Sequence, residues 1–155
     1  MSIEINKACF EDYEDIIKIV EQVQQLHVQL RPDLYQQYHD IITKSNFKNM
    51  VEDECCFVAK DENQIVGVII IQYRNDDNPV KVKRHVIYID TLVVDENYRN
   101  QGIGHQLLNY VKKLKKEKKM DSIELQVNAK NNRAYKMYQK YGFTMKTYTM
   151  ELLDE

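Results

Sequence analysis

The feature that most constrains the fold is a junction where a strand-like pattern passes through two glycines into a helix-like pattern. Residues 82–94 alternate between apolar and polar side chains, as a half-buried strand does, and end in an apolar run. The polar residues 95–101 follow, and Gly102 and Gly104 then open a segment with apolar side chains at three- and four-residue spacing. A strand followed directly by an amphipathic helix favours a mixed α/β domain, in which helices cover both faces of a sheet.

The rest of the chain repeats these two patterns. Further strands are predicted at residues 3–8, 55–60, 64–73, 123–127 and 143–152. Helices are predicted from about residue 12 to Leu30, within residues 33–54, from Ile103 to about Lys119 and over residues 131–141. The first helix should stop near Leu30 because Pro32 disfavours helical geometry at the residue before it. Residues 74–79 are predicted to form a loop, and Gly142 is placed to cap the last helix.

Length, charge and cysteine content exclude several classes of protein. The 155 residues suffice for one domain with a buried core, which we expect to span residues 1–155. The net charge of −2 argues against a surface devoted to nucleic acid. Cys9, Cys55 and Cys56 are odd in number and two are adjacent, so we expect neither a disulfide framework nor a metal site.

No segment of the sequence has the length or pattern of a membrane span. The longest apolar run, residues 65–71, is too short to cross a bilayer. The first residues lack the basic start and apolar stretch of a secretory signal. We therefore expect a cytoplasmic protein that has no membrane partner.

The segment Arg99-Asn100-Gln101-Gly102-Ile103-Gly104 has the properties of an anion site. Two glycines at a helix start let a ligand approach the backbone, whose first N–H groups have no partner within the helix. The helix dipole adds positive potential there, which suits a pyrophosphate. A Gly-x-Gly pattern alone is a weak signal, and a tight turn into a helix explains it equally well.

A second pattern lies on the last predicted helix. Asn131, Ala134 and Tyr138 are spaced three and four residues apart, so they share one helix face. The small Ala134 between two polar side chains leaves room for a ligand along that face. The alternative is a helix whose Tyr138 packs in the core. Gly142 and Phe143 follow at the end of this helix.

Together, the two patterns resemble the GNAT superfamily of acetyl-CoA-dependent N-acetyltransferases. Residues 99–104 match the pyrophosphate loop of that family, and Asn131, Ala134, Tyr138 and Gly142-Phe143 match its second signature in the same order. The resemblance implies a GNAT-like α/β fold with a central, mostly antiparallel mixed sheet of about six to seven strands. It also implies acetyl transfer from acetyl-CoA, as co-substrate and without metal, to a primary amine by direct attack through a tetrahedral intermediate.

The resemblance also implies roles for particular residues. Backbone groups of Leu92, Val93 and Val94 would bind the pantetheine arm, and an N–H near Leu92 would stabilise the oxyanion that forms on attack. The residues expected to bind the rest of the cofactor are Arg99, Asn100, Gln101, Gly102, Ile103, Gly104, Asn131, Ala134 and Tyr138. The Tyr138 hydroxyl would act as the general acid that protonates the leaving thiolate.

The acceptor side is less defined by the sequence. Asp90 and Tyr88 lie two apart on one strand and should face the same side, so Asp90 is our first choice of base, with a structural carboxylate as the alternative. Tyr88 is predicted to contact the amine. Asp33 and Tyr35, which follow the first helix, are predicted to contact it too, although helix-end packing explains them as well. Residues 1–60 carry a net charge of −5 and residues 61–155 a net charge of +3, which favours a cationic acceptor on the acidic side.

The sequence is also compatible with other functions. A non-catalytic acetyl-CoA sensor on the same fold is one, and the intact Tyr138 and Asn131 argue against it. A nucleic-acid-binding protein that uses the lysine-rich residues 112–119 is another, which the near-neutral charge disfavours. We expect a small-molecule or peptide amine as partner, no nucleic acid, and a possible homodimer through the last strand. The sequence names neither the amine nor the range of acyl groups.

Overall fold

The computed structural model of the protein describes residues 2–154, which form five strands and four α-helices. The strands are β1 (Ile3–Lys7), β2 (Cys56–Asp61), β3 (Gln64–Asp76), β4 (Arg84–Val94) and β5 (Ser122–Leu125). The helices are α1 (Tyr13–Leu30), α2 (Lys44–Glu52), α3 (Ile103–Glu117) and α4 (Asn132–Tyr141). Short 3₁₀ turns precede α1 at Phe10–Asp12 and follow β4 at Glu96–Tyr98.

The strands form one mixed sheet in the order β1-β2-β3-β4-β5. The first three pairings are antiparallel, and β5 lies parallel to β4. The strands predicted at residues 55–60 and 64–73 are confirmed as β2 and β3, which form a hairpin in which Asp61 pairs with Gln64 across the turn. The α/β class and the mostly antiparallel mixed sheet are therefore confirmed. The expected number of six to seven strands is wrong, because the described residues contribute five.

The missing strand is the one predicted at residues 143–152. This segment forms no strand, although its side chains alternate as a strand requires. It is held instead through side chains, with the Lys146 ammonium 2.8 Å from Glu124 and the Glu151 carboxylate 2.6 Å from Arg31. An alternating pattern shows strand propensity, but a strand forms only where a neighbouring edge pairs with it. Met150 and Leu152 are 90% and 91% exposed.

The ends of the other elements follow local signals. The end of α1 at Leu30, just before Pro32, confirms the predicted boundary. The Asn131 side chain caps α4 by accepting a hydrogen bond from the Ala134 N–H at 3.2 Å. The loop predicted at residues 74–79 is wrong in part, because β3 continues to Asp76 and pairs with the start of β4. Long-range pairing with β4 overrides the polar sequence there.

Two hydrophobic layers lie on the two faces of the sheet. On one face α1 and α2 cover residues of β2, β3 and β4, with Ile16, Val20 and Phe47 almost fully buried. On the other face α3 is the main cover. A Cβ atom at Gly67 would lie only 3.1 Å from Leu107 Cδ1. The close approach of α3 to β3 therefore depends on the missing side chain at this position.

We expect Leu107→Ala to lower the free energy of unfolding by about 2–5 kcal/mol. Leu107 is fully buried between α3 and the sheet, so truncation removes apolar contacts and leaves a cavity. Urea denaturation followed by circular dichroism measures the loss. Leu34→Ala serves as the control because Leu34 is 57% exposed, and its effect should stay within about 0.5 kcal/mol. Equal effects of the two substitutions would contradict this assignment of the core.

Candidate active site

The centre of the candidate site is an opening between β4 and β5. The two strands pair from Val86 to Ile89 of β4, and β4 then continues to Val94 with no strand partner on that side among residues 2–154. A bulge occurs at the same point, because Ile89 pairs with Ile71 and Thr91 with Ile70, which leaves Asp90 without a partner on β3. The backbone N–H and C=O groups on this edge are thus available to a ligand.

A cleft of about 700 Å³ lies along this open edge. Its walls are β4, the start of α3, the inner face of α4 and the last turns of α1. The predicted residues that line it are Asp90, Leu92, Val93, Val94, Arg99, Asn100, Gly102, Ile103, Gly104, Asn131, Ala134 and Tyr138. The other predicted residues, namely Gln101, Asp33, Tyr35 and Tyr88, do not line it.

The start of α3 presents bare backbone to the cleft. Gly102 is the N-cap residue and adopts a left-handed conformation with φ of 81°, which glycine tolerates best. No side chain of the described residues caps this end, and apart from the adjoining residues of the chain no described atom lies within 4 Å of the place where a Cβ would stand. The first N–H groups of the helix thus lack a capping side chain, and they suit a phosphate group.

Positive side chains surround this helix start. Arg99 lies beside it and donates a hydrogen bond to the Val94 carbonyl at 3.4 Å, and Arg133 donates one to Asn100 at 3.0 Å. Lys136 and Lys140 of α4 also line the cleft. Neither sequence motif includes these two lysines, although their spacing of three and seven residues from Arg133 puts all three on one helix face.

Tyr138 lies in the cleft with its ring packed edge-on against Phe143, at 5.6 Å between ring centroids. Burial raises the pKa of its hydroxyl to about 12. The hydroxyl therefore keeps its proton at neutral pH, as a proton donor must. Asn131 stands at the other end of the same helix face, where its side-chain oxygen is engaged in capping α4.

The residues predicted for the acceptor side lie in different surroundings. Asp90 lines the cleft, and its carboxylate accepts a hydrogen bond from Thr91 Oγ1 at 3.4 Å. Asp33 instead forms a two-pronged ion pair with Arg31 at 2.8 and 2.7 Å, and these hydrogen bonds lower its pKa to about 2. Tyr88 lies under the guanidinium of Arg74, whose central carbon is 3.7 Å from the ring centroid.

The end of α1 forms a wall of the cleft. Val23, Leu26 and His27 line it, and His27 stacks on Tyr35 with ring centroids 4.8 Å apart. Burial lowers the pKa of His27, which keeps its imidazole neutral at pH 7. Tyr35 therefore contacts His27, which lines the cleft, but does not line the cleft itself. The helical spacing of Val23 and Leu26 predicts that they are buried against the core. This spacing carries no signal that they line a cleft.

Within residues 2–154, no helix combines the length and the apolar character needed to cross a bilayer. The same residues hold no group of three or more His, Cys, Asp or Glu side chains arranged for a metal ion.

Comparison with known proteins gives the chain a family. Residues 20–143 match the Acetyltransferase (GNAT) family. N-alpha-acetyltransferase 30 of Dictyostelium discoideum is 32% identical over 127 residues, which cover 79% of this chain and 63% of that protein. The chain thus spans less than two thirds of the length of this curated relative, and smaller shares of the N-acetylaspartate synthetase of Danio rerio and the streptothricin acetyltransferase of Escherichia coli.

Solved structures agree with this match. A tetramutant of the BH1408 protein from Bacillus halodurans is 30% identical, with a TM-score of 0.90 over 99% of both chains. The PaiA N-acetyltransferase of Thermoplasma acidophilum, solved in complex with coenzyme A, is 20% identical with a TM-score of 0.76 over 96% of this chain and 94% of that one. At that identity the second likeness concerns the fold alone. Because the family match extends over most of its length, the chain belongs to the GNAT family of acetyltransferases.

Proposed function

We propose that this acetyltransferase moves an acetyl group from acetyl-CoA to a primary amine. The observation that carries the proposal is the cleft itself, which joins an open strand edge, a bare helix start and a buried, protonated tyrosine. Acetyl-CoA has a part for each of them: an extended amide-containing arm, a pyrophosphate and a thioester sulfur. A purely non-catalytic sensor would need the first two features and not the third.

The chain's own groups suit the parts of acetyl-CoA. Backbone N–H groups at the start of α3 would bind the pyrophosphate, with Arg99 and Arg133 adding positive charge. Backbone groups of Leu92, Val93 and Val94 on the unpaired edge would bind the arm by hydrogen bonds, as a further strand would. When bound, acetyl-CoA supplies an activated acyl group as a thioester.

Two side chains would move protons in the reaction. The Asp90 carboxylate would take a proton from the ammonium form of the acceptor, because a protonated amine has no lone pair with which to attack. The Tyr138 hydroxyl would give its proton to the departing sulfur, so that the thiol leaves and not the thiolate. Both side chains line the same cleft. As the carbon–sulfur bond breaks, the attached nitrogen would lose its second proton, which would restore the Tyr138 hydroxyl, while Asp90 would release its proton to solvent. One base and one acid then account for all the proton transfers.

The direct test is a screen of amine acceptors with acetyl-CoA as donor, followed by release of the CoA thiol and by mass analysis of the product. Amine-dependent thiol release with an added acetyl group on the amine supports the proposal. Tight binding of acetyl-CoA without turnover of any amine would favour the sensor instead.

We expect Asp90→Asn to lower the acetylation rate on the order of a hundredfold at pH 7. The loss should shrink as the pH approaches the pKa of the amine, about 10 for an alkylamine, because free amine then needs no base. Steady-state rates from pH 6 to 10 measure this trend.

Asp77→Asn is a suitable control because Asp77 is exposed in the β3–β4 connection, away from the cleft. It removes the same charge and should leave the profile unchanged. A deficit of Asp90→Asn that is constant across the pH range would make Asp90 a structural residue.

A further inference from the structure

A row of polar side chains crosses three strands next to the cleft. Gln72 of β3 pairs with Tyr88 of β4, which in turn pairs with Glu124 of β5. The strand neighbours of these residues, among them Ile71, Ile87 and Ile123, belong to the apolar layer under α3, so the row lies on the opposite face of the sheet. Gln72 is exposed, and Tyr88 and Glu124 are half-buried. The sheet face therefore presents a polar floor at this point.

Arg74 is held in place on this floor. Its Nε and Nη2 groups donate hydrogen bonds to Gln72 Oε1 at 3.0 and 2.8 Å. Its guanidinium stacks on the Tyr88 ring at 3.7 Å. No carboxylate among residues 2–154 lies within ion-pair distance of it, in contrast to Arg31 and Arg84. Arg74 is thus a cation in a fixed orientation, with unused N–H donors and no anionic partner among residues 2–154.

Asp90, which lies next to this polar row, is an anion without a cationic partner among the described residues, as Arg74 is a cation without an anionic one. It sits at the bulge of β4, lines the cleft and has no cation within ion-pair distance among the described residues. Glu124, the other carboxylate here, is already neutralised by Lys146 at 2.8 Å and Arg84 at 3.8 Å. Arg74 lies over the Tyr88 ring, and Asp90 follows Tyr88 by two residues on β4, so both charges lie next to Tyr88.

We propose that Arg74 and Asp90 bind the two charges of a zwitterionic acceptor, an amine that also carries a carboxylate, as an amino acid does. The carboxylate would bind the guanidinium of Arg74 by paired hydrogen bonds, and the ammonium would lie at Asp90 inside the cleft. A plain cationic amine would leave Arg74 without a partner and would be repelled by it. This inference rests on the proposed function and narrows its substrate class.

The experiment compares acceptors in pairs. Each common amino acid, together with β-alanine and γ-aminobutyrate, is assayed against its own carboxamide with acetyl-CoA as donor. The ratio of kcat/KM values within each pair is measured for the parent and for Arg74→Gln, so that differences in the intrinsic reactivity of the amines cancel. Acetyl-CoA affinity is measured by calorimetry for both proteins and should be equal, because Arg74 does not line the cleft.

Arg74→Gln is expected to lower kcat/KM for the carboxylate-bearing acceptor by about 10- to 150-fold and to leave the carboxamide within about twofold. Arg74→Lys should recover only part of the loss, because an ammonium does not make paired hydrogen bonds to a carboxylate. Lys81→Gln is the matched control, since it removes one positive charge from the neighbouring β3–β4 connection and should change neither rate.

Two results would overturn the inference while leaving acetyl transfer intact. One is a parent enzyme that acetylates only amines without a carboxylate, such as polyamines or the lysine side chain of an end-blocked peptide. The other is an Arg74→Gln enzyme in which acid and amide lose rate equally. If no amine of any kind is acetylated, the proposed function fails together with the inference.

Discussion

Replacing Gly102 by aspartate is expected to weaken the binding of acetyl-CoA by about a thousandfold. The new carboxylate would stand at the bare start of α3, where the pyrophosphate is proposed to bind. Two unit charges about 4 Å apart at an effective dielectric constant of 20 repel by about 4 kcal/mol, which is about three powers of ten in affinity. The side chain itself has room, because no atom lies within 4 Å of its Cβ position. Isothermal titration calorimetry measures the affinity.

The matched control is Gly102→Asn. Asparagine has the size of aspartate without its charge, and it tolerates the left-handed backbone that Gly102 adopts at φ of 81° better than most residues do. It should therefore lose far less affinity than aspartate, with unchanged circular dichroism for both variants. Equal losses would assign the effect to the backbone conformation. Full affinity in the aspartate variant would remove the pyrophosphate from this position.

Local signals predicted most of the fold. Pro32 marks the end of α1, the glycines mark the start of α3, and the period of the apolar residues gives α1 and α3 their buried faces. These features act over a few residues, so the sequence shows them directly. The last strand is the instructive exception. Residues 143–152 have the alternation of a strand, but strand formation depends on a distant edge that local sequence does not reveal.

The same contrast between local motifs and distant strands applies to the candidate site. The residues expected to hold acetyl-CoA lie in two short motifs, and all of them except Gln101 line one cleft. The proposed acceptor side combines residues of separate strands, and the sequence pointed to it only in part. Arg74 fell in a predicted loop, whereas in the fold it sits on β3 and stacks on Tyr88. Asp33, a predicted contact of the amine, instead forms an ion pair with Arg31, two residues before it in the sequence.

Tyr138→Phe is expected to lower the acetylation rate by about a hundredfold to ten-thousandfold while acetyl-CoA affinity stays nearly unchanged. The phenylalanine ring keeps the packing against Phe143, and only the hydroxyl that would protonate the leaving sulfur is lost. Steady-state kinetics with a verified acceptor, together with calorimetry, separates the two effects. Tyr141→Phe is the control on the same helix, because the Tyr141 hydroxyl is bonded to Asn109 at 2.7 Å, outside the cleft.

The pH dependence distinguishes an acid from a packing residue or a base. Because burial raises the pKa of Tyr138 to about 12, its hydroxyl is protonated throughout the range from pH 6 to 10 and is lost as a donor only as the pH rises through about 12. The deficit of Tyr138→Phe should therefore be constant over that range, whereas the deficit of Asp90→Asn should shrink as the pH rises. A Tyr138→Phe rate within about twofold of the parent would leave Tyr138 with a packing role, and the proton for the sulfur would then have to come from solvent.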